Sequence, residues 1–380
     1  MSDLVLYRKY RPKKFSEVVG QEPVTTTLLN AVSSKRTAHA YLFSGPRGSG
    51  KTTVARILAK AINCEDEKSA EPCGKCSSCK EITEERAMDI VEIDAASHRG
   101  IDEVRELREG IRFSPSNLKY KVFILDEAHQ LTSGAANALL KMLEEAPEHA
   151  VFILATTEPQ KMIPTIISRC QRFDFRKITA GDIVERLKKI AKKEGYEIEK
   201  EALLMIASYA GGSLRDAEGF LSQVISFLKE GSTIKKEDVK NLLGAVEREV
   251  VGDFVDLLKE GKAIEAIELM DNLFQKGTDV ESFQNGLIYY LREMLILKIV
   301  SSEESKEKQK SLIDSLLAVL TREEIERMKK QSGNFEIGEI KNIIDIFLKA
   351  GERMKYSPIP HLPLEMAVAE VTETLKKIDN

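Results

Sequence analysis

Four stretches of this chain carry residue types at spacings suited to chemistry on a phosphate or around a metal. Gly45-Pro46-Arg47-Gly48-Ser49-Gly50-Lys51-Thr52 fits the pattern G-x-x-x-x-G-K-[ST]. Gly45, Gly48, Ser49 and Gly50 let backbone N–H groups curl around phosphate oxygens, and Thr53 is grouped with them as a nucleotide contact. Lys51 would neutralise the β- and γ-phosphates of a bound nucleotide, and the Thr52 hydroxyl would ligate Mg²⁺. A chance Gly-rich turn is the bland alternative. The position between an apolar run and a helical pattern argues against it.

KVFILDEAHQ supplies a second half for such a site. An apolar strand delivers Asp126 to its C-terminal edge, where it would hold the metal, and Glu127 would polarise a water against the γ-phosphate. An Asp-Glu pair alone reads equally well as a solvated loop, but a buried strand and an upstream glycine loop favour catalysis. VFILATTEP then ends a further strand on two hydroxyls, Thr156 and Thr157. One of them would report the γ-phosphate, and Thr156 is taken as that contact. A strand-end Thr by itself is more often a cap or turn former.

Cys64, Cys73, Cys76 and Cys79 follow C-x8-C-x2-C-x2-C, with Gly74, Ser77 and Ser78 as turn residues between them. Four soft thiolates suit tetrahedral Zn²⁺ at Zn–S distances of about 2.3 Å. A complete thiolate set leaves no open position, so the site is expected to be structural. Paired disulfides fit poorly with a reducing cytosol, and a redox CxxC lacks a thioredoxin-like context. Cys170 stands apart and reads as a packing residue. The five histidines form no cluster; His129 reads as a strand-edge contact without a catalytic role.

These residues need elements to position them. YLF (41–43), DIVEID (89–94), KVFILD (121–126), VFILAT (151–156) and RFDF (172–175) read as strands. They alternate with helical patterns at TTVARILAKAIN and GAANALLKMLEE. Near-continuous apolar strands alternating with helices predict a buried parallel sheet, hence an α/β domain. After Arg176 the pattern becomes wholly helical, with DIVERLKKIAKKEG, EALLMIASYAG and SLRDAEGFLSQVISFLKEG each ending at Gly. Long amphipathic helices such as ESFQNGLIYYLREMLILKIV and EIGEIKNIIDIFLKAGERMK follow, and SSEESKEKQKS (301–311) reads as a solvated loop. The expected division is residues 1–177, 178–242 and 243–380.

Lys+Arg number 57 against 61 Asp+Glu, so a net charge of −4 gives no global attraction to nucleic acid. DNA contact would need a local basic surface; Lys13, Lys14, Arg99, Arg105 and Arg112 are candidates, each equally readable as part of a solvated face. The N-terminus carries charges where a signal peptide needs an apolar core, and no apolar run approaches a membrane span. A soluble cytoplasmic protein is expected.

Together RKYRPKKFSEVVGQE (8–22), GPRGSGKT, the cysteine module, VEIDAAS, LDEAH, LATTEPQK, SRC and GSLRDAEGFLSQ closely resemble the γ/τ subunits of the bacterial DNA polymerase III clamp loader, which are AAA+ ATPases. The resemblance covers nearly the whole chain and is weakest after about residue 245. It implies an AAA+ P-loop domain with a five-stranded parallel sheet, a helical lid and an all-α collar. The strand ending at Thr156 would lie between the P-loop strand and the Asp126 strand. Arg169 of SRC would be an arginine finger reaching into a neighbouring subunit's site, against the alternative of a surface ion pair. Arg215 of GSLRD would close the lid on the phosphates. Tyr7 to Gly20 would wrap adenine and ribose, with Arg11 and Val19 as contacts, against the alternative of a basic arm.

The implied activity is Mg²⁺-dependent ATP hydrolysis within the DNA polymerase III holoenzyme, a nucleotidyltransferase complex. The implied partners are other clamp-loader subunits, the sliding clamp and primer–template DNA, with polymerase core and replicative helicase bound by longer family members. A branch-migration or other AAA+ remodelling motor shares the core motifs, but would call for a C-terminal winged helix. A scaffold that binds nucleotide without hydrolysis is opposed by intact Lys51, Thr52, Asp126 and Glu127.

Overall fold

The apolar runs form one parallel sheet. In the computed structural model, β1 (Ala40–Ser44), β2 (Ile90–Asp94), β3 (Lys121–Asp126), β4 (Ala150–Thr156) and β5 (Gln171–Asp174) lie in the order β2-β3-β4-β1-β5. The residues described are 5–66, 69–97, 100, 107, 109–111, 113–229, 231–243, 248–302 and 322–378. The three inner strands are buried almost throughout, which is why they read as unbroken apolar runs rather than alternating ones. The edge strand β5 buries only Phe173. β4 separates β1 from β3, as the family resemblance implied.

Alternation along the strands divides the core into two layers. Tyr41, Phe43, Val122, Ile124, Val151 and Ile153 face α2 (Glu22–Ser33) and α3 (Lys51–Asn63), meeting Leu28, Val54, Ile57 and Leu58. Leu42, Phe123, Leu125, Phe152 and Leu154 form the other layer, with Leu139 and Met142 of the helix Ser133–Glu144. Register pairs Ser44 with Thr156 and Asp94 with Asp126, so the strands finish level at one edge. Ligands of such sheets bind at that edge.

The short helix α1 (Leu6–Lys9) precedes α2. Between α3 and β2 lies the cysteine module, which contains α4 (Ser77–Thr83). Ser77 and Ser78 therefore open a helix, where the sequence suggested turn residues. Cys76 is its N-cap, its sulfur accepting the Cys79 N–H at 3.4 Å. The helix after β3 becomes α5 (Ser133–Glu144), and α6 (Pro164–Ile167) precedes β5. Helices α7 (Ala180–Lys193), α8 (Lys200–Tyr209) and α9 (Leu214–Phe227) follow. Thr179 and Ser213 cap α7 and α9 by accepting N–H groups of Asp182 and Asp216.

Two compact units result, one of residues 1–198 with 206–232 and the other of 199–205 with 233–380. From residue 248 the second unit is helical, comprising Arg248–Lys259, Ala263–Gln275, Val280–Ser302, Arg322–Gly333, Ile337–Met354 and Leu362–Ile378. Phe254 packs edge-on against Phe283 and Phe347 in its core, with ring centroids 5.2 and 6.1 Å apart. Of the charged stretch 301–311, expected as a loop, residues 301 and 302 end the helix Val280–Ser302 and 303–311 lie outside the described residues. Among the described residues no helix is long and apolar enough to cross a membrane.

Candidate functional site

The glycine loop joins β1 to α3, and two of its glycines are fixed by what surrounds them. A Cβ on Gly45, at φ +149°, would come within 2.5 Å of the Phe175 carbonyl oxygen. One on Gly48, at φ +72°, would strike the Ser213 side chain, while the Gly48 carbonyl accepts the Leu214 N–H at 3.2 Å. The loop is thus packed between the end of β5 and the start of α9. Gly50 adopts the left-handed conformation as N-cap of α3, and the N–H groups of Lys51, Thr52 and Thr53 form the first turn. A first helical turn leaves N–H groups without helical partners, a ready anion cradle. Ser49 is buried, its hydroxyl donating to the Pro46 carbonyl at 2.8 Å.

Lys51 Nζ donates to the Gly45 and Pro46 carbonyls at 2.8 and 3.0 Å. Burial lowers its pKa, and the nearby carboxylates of Glu127 and Asp126 oppose that shift. The Thr52 hydroxyl donates to Asp126 Oδ2 at 2.7 Å, so the two side chains expected to hold Mg²⁺ touch. Two hard oxygen donors beside a phosphate cradle fit that ion.

Glu127 sits at φ +46°, in the left-handed region, at a cost on the order of 1 kcal/mol for a non-glycine residue. Its N–H donates to Asp126 Oδ1 at 3.0 Å. Thr157 donates to Glu127 Oε2 through its hydroxyl at 2.8 Å and its N–H at 3.2 Å. Thr156 is fully buried; its hydroxyl lies 3.0 Å from His129 Nδ1 and accepts the Glu158 N–H at 3.0 Å. Of the two hydroxyls weighed in the sequence, Thr157 is the one that meets the Glu127 carboxylate. His129 joins the cluster too, with Nδ1 3.3 Å from Glu127 Oε2.

The N-terminal segment meets the start of α9. The Arg215 guanidinium lies over the Tyr7 ring, 5.0 Å from its centroid, and its hydrogen bond lowers the Tyr7 pKa. Arg11 and Val19 are half-buried, and burial lowers the Arg11 pKa. Gln21, missed by sequence reasoning, is buried and staples the loop: its Nε2 donates to the Ser49 carbonyl at 3.2 Å and to the Arg176 carbonyl at 2.7 Å. Its only sequence signal was its place at the end of the matched basic stretch. Lys13 and Lys14 are exposed, whereas Arg99, Arg105 and Arg112 lie outside the described residues.

Arg169 is separate from this cluster in its chemistry. It donates to Glu144 Oε1 at 2.5 Å and to the Thr165 carbonyl at 2.9 Å, with both charged side chains partly exposed. Within one chain it is a surface ion pair.

The sulfurs of Cys64, Cys73, Cys76 and Cys79 all lie within 4.8 Å of one another. A tetrahedron with Zn–S of about 2.3 Å has sulfur–sulfur edges of about 3.8 Å, so the set fits zinc with small adjustments. N–H groups of Lys75 and Cys76 donate to Cys73 Sγ at 3.4 and 3.3 Å and hold its pKa down at about 7. Burial pushes the Cys64 and Cys79 thiols up. Cys170 stands apart from the four, its pKa raised to about 11 by burial, as suits a packing residue.

Residues 20–179 match the family described as DNA polymerase III, delta subunit. Residues 182–230 match the DNA polymerase III clamp loader subunit ATPase lid domain, and 234–377 match DNA polymerase III subunits gamma and tau domain III. DNA polymerase III subunit tau of Bacillus subtilis is 44% identical over 374 residues, covering 98% of this chain and 64% of that protein. The gamma/tau subunit of Mycoplasma genitalium is 43% identical over 311 residues, covering 82% and 51%. Subunit tau of Escherichia coli K12 is 39% identical over 299 residues, covering 79% and 46%. The chain thus spans less than two thirds of the length of each of these relatives.

Proposed function

The chain belongs to the gamma/tau family of DNA polymerase III subunits, and from that premise we propose that it is an ATP-hydrolysing motor subunit of a clamp loader. In this reading ATP binding favours a ring of subunits that holds a sliding clamp open on primer–template DNA. Hydrolysis releases the clamp. The observation that carries it is the 2.7 Å contact between Thr52 and Asp126, with Glu127 next in sequence and held by Thr157. That juxtaposition joins a metal site to a base, and a phosphate cradle opens beside it.

Each residue then has a part. Lys51 exchanges its loop carbonyls for phosphate oxygens, and the loop N–H groups of Gly48 to Thr53 bind the remaining charge. Mg²⁺ bound at Thr52 and Asp126 would offset phosphate charge. Glu127 orients the attacking water, and Thr157 fixes that carboxylate. Thr156 supports the arrangement through His129. Arg215 leaves the Tyr7 ring for the phosphates when the lid closes, while Arg11 and Val19 contact the base and ribose. Arg169 exchanges Glu144 for the γ-phosphate in a neighbouring subunit.

The three family matches, at 20–179, 182–230 and 234–377, support a nucleotide-binding domain to 177, a lid to 242 and a collar beyond. The sulfur cluster supports a structural zinc. Lys13 and Lys14 are the exposed candidates for tracking DNA phosphates, which positions a protein without reading bases. A cytoplasmic location and partnership with clamp, other loader subunits and primed DNA belong to the same proposal. ATP turnover measured with and without partner subunits, clamp and primed DNA tests it. Stimulation by clamp and DNA together is expected; turnover indifferent to both would sink the reading.

A further inference from the structure

The cysteine module reaches back to the start of the chain. Glu71, between Cys64 and Cys73, accepts the Phe15 N–H through Oε2 and the Ser16 N–H through Oε1, both at 2.8 Å. Those are the first two N–H groups of the 3₁₀ turn Phe15–Glu17, whose own N-cap residue, Lys14, makes no side-chain cap. Phe15 is 1% exposed and sits in the sheet's core with Val24, Leu28 and Tyr41. The turn therefore anchors the middle of the segment that carries Arg11 on one side and Val19 on the other.

Inside the module the position of Glu71 depends on the cysteines. Pro72, with its fixed φ, joins Glu71 to Cys73, and the Cys73 N–H donates to Cys64 Sγ at 3.4 Å. Glu65, next to Cys64, accepts the Ser78 N–H and hydroxyl at 3.2 and 2.9 Å, tying that end to the helix that bears Cys79. A metal held by all four sulfurs would fix this loop, and its loss would free the loop from Cys64 to Cys79.

We propose that the cysteine module positions the nucleotide-wrapping segment through Glu71, so that an intact metal site raises nucleotide affinity. The inference rests on reading Tyr7 to Gly20 as that segment. Two charge-assisted hydrogen bonds hold the turn ordered before nucleotide arrives. Without them the binding-competent arrangement is less populated, and the apparent affinity falls by that fraction. Glu71 is a positioning residue: it touches no reacting atom.

The test uses the full 380-residue chain and a fluorescent ATP analogue, with zinc content and amide exchange at Phe15 and Ser16 read alongside. In Glu71→Ala we expect unchanged zinc content, exchange at those two amides about tenfold faster, and nucleotide binding about three- to tenfold weaker. Chelating zinc from the wild type should reproduce both changes, and chelation of Glu71→Ala should add little, as for two steps of one coupling. Glu71→Gln keeps one oxygen acceptor and should fall between, which covers the case of an unstable alanine variant. Wild-type exchange and affinity in Glu71→Ala would overturn the proposal, as would chelation whose effect simply adds. Arg11→Ala separates the premise. Normal binding in that variant defeats the segment reading itself, whereas weakened binding there with a silent Glu71→Ala defeats only the coupling.

Discussion

Replacing Arg169 by alanine tests the part of the account that no single chain can display. In the structure Arg169 holds Glu144 at 2.5 Å, with side-chain exposures of 36% and 49%. A partly exposed surface pair contributes about 0–1 kcal/mol, since solvent screens the attraction and two long side chains lose freedom. Its hydrogen bond to the Thr165 carbonyl adds about 1 kcal/mol at most. Arg169 can therefore leave its present partners at a cost of no more than about 2 kcal/mol. An arginine finger is worth about 10³–10⁵ in turnover, or roughly 4–7 kcal/mol, so the exchange is favourable wherever a neighbour presents a transferring phosphoryl group. Arg169→Ala should leave chain stability within about 1–2 kcal/mol and ATP binding unchanged. Turnover in the complex assembled with clamp and primed DNA should fall on the order of 10³-fold. Glu144→Ala is the control, since it removes the resting partner and should leave turnover intact. Urea unfolding, ATP titration and steady-state hydrolysis in the reconstituted complex supply the three readings. Wild-type turnover in Arg169→Ala would refute the assignment in trans, and equal losses in both variants would show that the ion pair itself is what matters.

Four further outcomes follow from the structure. Lys51→Ala should abolish ATP binding in a direct titration, because the replaced ammonium is the cation at the loop's centre. Thr157→Val should lower turnover on the order of tenfold while leaving ATP affinity largely unchanged, since it releases Glu127, the proposed base, without touching the cradle. Thr156→Val should act less on turnover than on folding, its hydroxyl being enclosed by His129 and the Glu158 N–H. Asp89 accepts N–H groups of Ser116, Asn117 and Leu118, which hold its pKa down although burial pushes it up. A depressed carboxyl pKa stabilises the fold above its unfolded value of about 3.9, and that contribution is lost as pH falls through the folded pKa. Asp89→Ala should thus cost about 2–3 kcal/mol in urea unfolding near neutral pH, and progressively less below about pH 4.

The central strands were legible because burial on both faces leaves unbroken apolar runs, and the phosphate loop because its glycines and Lys51 permit few substitutes. Helix α2 was harder to see, its EPVTTTLLNAVS carrying β-branched residues that favour strands; packing of Val24 and Leu28 on the sheet overrides them. The opening of α4 at Ser77 was hidden for a different reason. Serines near cysteines read as turns, and only the Cys76 sulfur acting as a cap shows that a helix starts there. Which of Thr156 and Thr157 meets Glu127 lay beyond pattern altogether. One residue along a strand reverses the direction of a side chain, and the turn after β4 decides which hydroxyl reaches Glu127. Glu71 and Gln21 act across 55 and 155 residues of sequence, and neither distance leaves a local signal.

The central claim is that ATP chemistry at Lys51, Asp126 and Glu127 drives a clamp onto DNA. Counting labelled clamps loaded on singly primed circular DNA, in the same reaction that follows a single turnover of ATP, tests it most directly. The wild-type complex should load clamps stably, with hydrolysis accompanying their release. The complex carrying Glu127→Gln should bind ATP and hold clamp and DNA without letting go. Stable loading at the wild-type rate by the Glu127→Gln complex, or hydrolysis that leaves no clamp on DNA, would contradict the account.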